Sequence, residues 1–238
     1  MSESTDLCKH LDPKLRSTAL DLAKVFHRAG GNLLLVGGSV RDLLMGLSPS
    51  ELDFEARGLS VDQIKSTLSP KYRCDEVGKA FGVLKIKQSP IEIALPRTEV
   101  KTGTGHKGFT IHPDPNLPYE QAVQRRDFTI NAIGLDLLEG TLLDPLNGKT
   151  DIQKRILCHI GPAFKEDPLR VLRGMQFIAR FQLKPTQKTI EVCKSMDTED
   201  LAPERIYEEW KKLMLKGINL SDGLNFLKNT GWLKHFPE

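Results

Sequence analysis

Apolar residues recur at helical spacing over residues 13–28, where Leu15, Ala19, Leu22, Ala23 and Phe26 fall on one face. Gly30-Gly31 closes that helix, and residues 32–36 are then a short apolar run typical of a buried strand. Helical spacing returns over residues 40–45 and stops at Gly46. Leu52-Asp53-Phe54-Glu55-Ala56 alternates apolar and acidic residues, which predicts a strand with its acids on one face. Ser60 is a candidate N-cap for a helix reaching Leu68. Residues 83–87 and 91–95 predict two more strands, the second bracketed by Pro90 and Pro96. A hairpin is expected over residues 137–143, around Glu139-Gly140. From Pro168 onward the pattern is helical, with Leu169, Leu172, Phe177 and Phe181 in register, then residues 203–215 and 221–229.

Residues 98–118 are rich in Gly, Thr, Pro and charge without periodicity, which predicts a long mobile loop of the kind that is usually functional. His106 and His112 lie in it and lack partner spacing for a metal site. The change in pattern near residues 144–157 divides the chain into an α/β head over residues 1–150 and a helical part over residues 151–238.

With 238 residues, the chain suffices for one large domain or two small ones with a sizeable core. Four cysteines (Cys8, Cys74, Cys158 and Cys193) show neither CxxC nor Cys/His spacing, which argues against a zinc site and a disulfide framework. The N-terminus has no apolar signal segment, and no run approaches the ~18 apolar residues that span a bilayer. A soluble cytoplasmic protein is expected, with no membrane association and no obligate protein partner. The net charge of +3 is mild, so any basic surface must be local. Lys184, Lys188, Lys211, Lys212, Lys216, Lys228 and Lys234 make the helical part locally basic, which suits an RNA backbone and equally a solvated helix surface.

The chemistry concentrates near Gly37-Gly38. A glycine pair between a strand and a helix lets backbone amides approach phosphate oxygens, and Arg41 lies one turn onward. By the strand period, Glu51, Asp53 and Glu55 share a face, and Glu92 joins them if its strand is a neighbour. Clustered carboxylates repel unless cations hold them, and two Mg²⁺ ions would do so. Asp167 and Arg170, three apart, are read as sharing one helix face.

Gly37-Gly38-Ser39-Val40-Arg41-Asp42-Leu43-Leu44-Met45-Gly46, followed by Glu51-Leu52-Asp53, resembles the signature of the class II tRNA nucleotidyltransferase and bacterial poly(A) polymerase family. Four further blocks resemble that family's motifs in order. These are Arg125-Arg126-Asp127-Phe128-Thr129-Ile130-Asn131-Ala132, then Asp144-Pro145 with Gly148 and Asp151-Ile152, then Glu166-Asp167-Pro168-Leu169-Arg170-Val171-Leu172-Arg173, and Glu204-Arg205-Ile206 with Glu209. The resemblance implies an α+β fold: a polymerase-β-like nucleotidyltransferase head, a mixed sheet with helices, followed by an all-helical neck and partial body that binds RNA. It implies addition of C and/or A from CTP or ATP to the tRNA 3′ end with release of pyrophosphate, or poly(A) synthesis on other RNAs. A catalytically weak RNA-binding module is the reading from another class. Glu51 and Asp53 would hold two Mg²⁺ ions, with Glu92 as a further catalytic acid. Gly37, Gly38, Ser39, Arg41 and Asp42 would surround the triphosphate, and Arg126, Asp127 and Asn131 the phosphate and ribose. Asp167 and Arg170 would read the base edge, and Arg173 would contact phosphate or brace that pair. Glu51 stands where the family usually has aspartate. Family members generally carry more helical body and tail, so weak tRNA affinity is expected of this chain.

Overall fold

The computed structural model describes residues 7–77, 83–101, 109–198 and 201–236. Two compact units divide the chain. The first comprises Met1–Val100, Thr110–Val123 and Ile130–Lys149; the second comprises Lys101–Phe109, Gln124–Thr129 and Thr150–Glu238.

The first unit is built on a seven-stranded mixed sheet. Its strands are β1 (Asn32–Val36), β2 (Leu52–Arg57), β3 (Cys74–Val77), β4 (Val83–Ile86), β5 (Ile91–Ala94), β8 (Gly134–Asp136) and β9 (Leu142–Leu143), in the order β3-β4-β5-β2-β1-β8-β9. Every adjacent pair is antiparallel except β2 and β5, which run parallel and set Asp53 opposite Glu92. Helix α1 (Pro13–Arg28) begins at Asp12, whose carboxylate accepts the backbone N–H groups of Lys14 and Leu15. All five residues of its expected apolar face are buried, and it packs on β1. Helix α2 (Gly38–Leu44) starts two residues before the expected segment, and α3 (Val61–Leu68) carries a capping box from Ser60 and Gln63. In β2 and β5, Leu52, Phe54, Ile91 and Ile93 fill the core, so Asp53 and Glu92 project from the other face.

Two sequence expectations need revision, and one strand was not anticipated. Arg97–Lys101 (β6) and Phe109–Pro113 (β7) pair as a two-stranded ribbon inside the segment read as loop. Residues 102–108, with His106, lie outside the described residues. The expected hairpin has its first strand earlier, at β8, with Gly140 at φ 76° in the turn. Strand β3 had no alternation to announce it.

In the second unit the chain is mainly helical. Its long run of helices is α6 (Leu169–Phe181), α7 (Gln187–Lys194), α8 (Pro203–Lys216) and α9 (Leu220–Thr230); earlier in the chain, the four-residue helix α4 (Tyr119–Ala122) belongs to the first unit, and α5 (Gly148–Gln153) straddles the boundary at Lys149. The expected apolar positions of α6 are all buried. Helix α9 lies close on α6 because Gly223 has no side chain: a Cβ there would come 2.9 Å from the Met175 carbonyl oxygen. Phe128 meets Phe164 and Phe177 edge-on, at centroid distances of 5.3 and 5.8 Å. This part is not wholly helical, since β10 (Ile156–Leu157) and β11 (Lys184–Pro185) form a short parallel pair.

Candidate active site

The first unit carries the glycine turn and the acids. Gly37 has φ 71° and ψ −134°, a conformation open to glycine, and its N–H donates to the Ile133 carbonyl at 3.3 Å. Gly38 leaves room of a different kind. A Cβ there would sit 3.3 Å from the Arg41 Nη2, because the Arg41 guanidinium folds back over the turn. Arg41 is 5% exposed and donates from Nε and Nη2 to Asp42 Oδ1, and from Nη1 to Asn131 Oδ1 at 2.6 Å. Separating such a buried, hydrogen-bonded pair is costly, about 3–5 kcal/mol when one partner is removed. Arg41, Asp42 and Asn131 therefore make one rigid network around the turn.

Ser39 joins this turn to the acidic strand. Its buried hydroxyl donates to the Glu51 carbonyl at 3.1 Å and accepts the Asp53 N–H at 3.2 Å. Glu51 and Asp53 are both exposed, on either side of buried Leu52. Glu92 faces Asp53 across the strand pair, and Lys85 Nζ lies 3.1 Å from its Oε1. Glu55, expected among the open acids, is 3% exposed and paired with Arg57 at 2.6 Å. Arg57 also donates to the Leu117 carbonyl and lies over the Tyr119 ring. Among the described residues no three His, Cys, Asp or Glu side chains converge as a metal cage.

The second unit carries the remaining candidates. Asp127 is buried; its Oδ1 accepts the Phe128 N–H, and its Oδ2 accepts Arg173 Nε and Nη2, each at 2.7 Å. The Asp127 charge raises the pKa of Arg173. Arg126 precedes Asp127, half-buried. Asp167 is not on the helix, since it lies two residues before α6, in extended backbone. The expected helix-face pair with Arg170 is replaced by two separate clamps. Asp167 takes a two-pronged bond from Arg205, at 3.2 and 2.8 Å. Arg170 donates to the Ala163 carbonyl at 2.7 Å and the Arg125 carbonyl at 2.6 Å, and burial lowers its pKa although Asp127 and Asp167 oppose that. Thr129 donates to Asp151 at 2.6 Å, tying the second expected motif to the third.

Arg205 was absent from the residues singled out for chemistry, though it stands in the last of the resembling blocks. Buried Glu209, from the same block, holds Lys212 at 2.8 Å and adds to the field that raises the Arg173 pKa. Gly37, Gly38, Ser39, Arg41, Asp42, Asn131, Glu51, Asp53 and Glu92 thus belong to one unit, and Arg126, Asp127, Asp167, Arg170 and Arg173 to the other.

Comparison with known proteins matches residues 33–158 to the family described as the poly(A) polymerase head domain. A multifunctional CCA protein of Xanthomonas campestris pv. campestris is 39% identical over 209 residues, covering 85% of this chain and 50% of the relative. A CCA-adding enzyme of Blochmanniella floridana is 42% identical over 210 residues, covering 86% and 49%. The chain thus spans about half the length of the curated relatives it matches. The crystal structure of the Bacillus stearothermophilus CCA-adding enzyme in complex with CTP superposes with a TM-score of 0.79 at 26% identity, covering 93% of this chain and 53% of that one. The Thermotoga maritima CCA-adding enzyme complexed with tRNA shares the fold, with a TM-score of 0.77 at 24% identity over 99% of this chain and 55% of that one. With its mixed seven-stranded sheet, its glycine turn and this match, the chain belongs to the poly(A) polymerase head-domain family.

Proposed function

We propose that the chain is a template-independent nucleotidyltransferase that adds C and/or A nucleotides from CTP or ATP to the 3′ end of tRNA, releasing pyrophosphate. The Ser39 hydroxyl carries this reading, because it locks a phosphate-sized glycine turn to the strand bearing Glu51 and Asp53. Attack at an α-phosphate needs those two features in one rigid piece, since positioning and charge stabilisation supply most of the rate. The curated relatives named for CCA addition, and the neighbour solved with CTP, support the same reading. A cytoplasmic location goes with it, and no helix among the described residues is long and apolar enough to cross a membrane.

In this proposal Gly37 and Gly38 offer backbone to the triphosphate, while Ser39 and the Arg41–Asp42–Asn131 network hold the turn's shape. The donor set fits Mg²⁺, which commonly binds through one or two carboxylates with substrate phosphates and water. Glu51 and Asp53 would hold the two ions, with Glu92 as the neighbouring acid. When bound, Mg²⁺ supplies neutralisation of the triphosphate and acidifies the attacking hydroxyl. Arg126 and Asp127 serve the nucleotide's phosphate and ribose, with Arg173 orienting Asp127. Asp167 and Arg170 read the base edge. Their clamps fix their direction without exhausting them, because each carboxylate oxygen retains a lone pair and the guanidinium has five N–H donors.

The test incubates the chain with tRNAs ending in the discriminator, C or CC, and with each labelled triphosphate. Incorporation of C and then A is expected; incorporation of A on an unstructured RNA but on no tRNA would favour poly(A) synthesis. RNA binding without incorporation would sink the enzymatic reading. Glu51→Asp shortens the metal-facing carboxylate by one methylene, and an unchanged Mg²⁺ titration of the rate would show that the glutamate does not limit the site.

A further inference from the structure

Positive charge gathers at one place in the second unit, on residues other than those assigned to the nucleotide. Helix α7 finishes at Lys194, and α9 has Lys228 in its last turn. Gly231, at φ 77°, reverses the chain. Trp232, 1% exposed, can then donate its indole N–H to the Cys193 carbonyl at 3.0 Å. That bond pins the ends of α7 and α9 together, and the helical turn Leu233–His235 brings Lys234 and His235 to the same place. The result is a pocket of about 330 Å³ whose walls include Lys194, Lys228, Asn229, Thr230, Lys234 and His235.

No acidic side chain lines this pocket, and among the described residues none of its three lysines makes an ion pair. Lysines in a last helical turn are ordinarily explained by the helix dipole. Here that accounts for only part of the charge. Two helix C-termini contribute roughly −0.5 each, so three ammonium groups leave a surplus of about two positive charges. Like charges brought together from three elements repel, and a bound anion relieves that repulsion.

We propose that this pocket binds a phosphate of the RNA backbone, as an anchor separate from the nucleotide-binding residues; the proposal rests on RNA being the substrate. The buried Trp232 ring offers no face for a base to stack on, so the contact is to backbone and carries no sequence information. Lysine supplies point charge suited to phosphate, and the Asn229 amide can add a directed donor.

The full chain would be titrated with tRNA over a range of salt concentrations, beside the exposed-residue variants Lys194→Gln/Lys228→Gln and Lys234→Glu. Binding about tenfold weaker is expected, with a salt slope shallower by about 1 for each phosphate that is no longer neutralised, and CTP binding unchanged. A control, Lys14→Gln/Lys24→Gln on α1, should change neither quantity. Unchanged RNA affinity in the pocket variants, an equal loss in the control, or no RNA binding by the wild type would each overturn the proposal. Lysine-dependent binding of inorganic phosphate with RNA affinity unmoved would make this a free-anion site, overturning the RNA assignment. Transfer measured on the same proteins separates the two ideas. Intact transfer with unchanged RNA affinity sinks the pocket alone; absent transfer with lysine-dependent RNA binding sinks the enzymatic reading alone.

Discussion

Replacing Ser39 by alanine removes one oxygen and leaves two backbone groups without their partner. The Glu51 carbonyl loses a donor at 3.1 Å, and the Asp53 N–H loses an acceptor at 3.2 Å. Each neutral bond is worth about 1 kcal/mol net, and both are at the long end of the range, so a loss of about 1–2 kcal/mol is expected. Water cannot easily take the hydroxyl's place, because Ser39 is buried beneath the turn. For a chain of this size that corresponds to a melting point lower by about 2–8 °C. Activity should fall further than stability, since the same hydroxyl sets the distance between the glycine turn and Asp53. A misplacement of about 1 Å can cost on the order of a hundredfold in rate. Denaturant unfolding would be measured beside nucleotide incorporation, with Ser39→Thr as a variant that keeps the hydroxyl. A Ser39→Ala protein as stable as the wild type, or one whose rate falls no more than its folded fraction, would refute the strut.

Arg205→Ala should lower kcat/KM for the incoming nucleotide about tenfold and blur discrimination among triphosphates, because Asp167 loses its two-pronged clamp. Both side chains are partly exposed, so the effect stays below that of a fully buried pair; unchanged selectivity in single-turnover assays would contradict it. Burial, reinforced by Lys188, lowers the pKa of His159, so the folded state takes up its proton less readily than the unfolded chain. The stability this contributes is present above the ordinary imidazole value of about 6.5 and is lost as pH falls below it. His159→Gln should flatten that acid-side decline in denaturant midpoints, and an identical profile would remove His159 as its source. The Cys193 thiol, pushed up to about 12 by burial, should resist iodoacetamide at neutral pH until the chain unfolds; rapid labelling of the native protein would contradict this packing.

The pattern of apolar residues was a reliable guide where burial follows a single period. The face of α1 and the apolar positions of α6 illustrate this, since each buries one stripe. It failed where little is buried or where a partner is distant. Helix α7, for one, buries only Thr189 and Cys193. Alternation put Glu55 with the open acids, yet Arg57, two residues onward on the same face, claims it. Arg205 and Asp167 are 38 residues apart, and Arg41 and Asn131 are 90 apart. No local spacing could reveal either pairing. The ordered motifs marked which residues to watch, whereas the packing showed what each one holds.

The way the two units share the chain bears on how the protein can be cut. Residues 124–129 belong with the later helices, although sheet-unit segments flank them on both sides. A fragment ending at residue 149 would keep Asp127 and Phe128 while discarding Arg173, Phe164 and Phe177, their partners. It would strand a buried carboxylate and a core aromatic ring in water. Isolated halves should therefore be poor folders, and chimaeras with a relative would need matched exchanges at three places along the polypeptide.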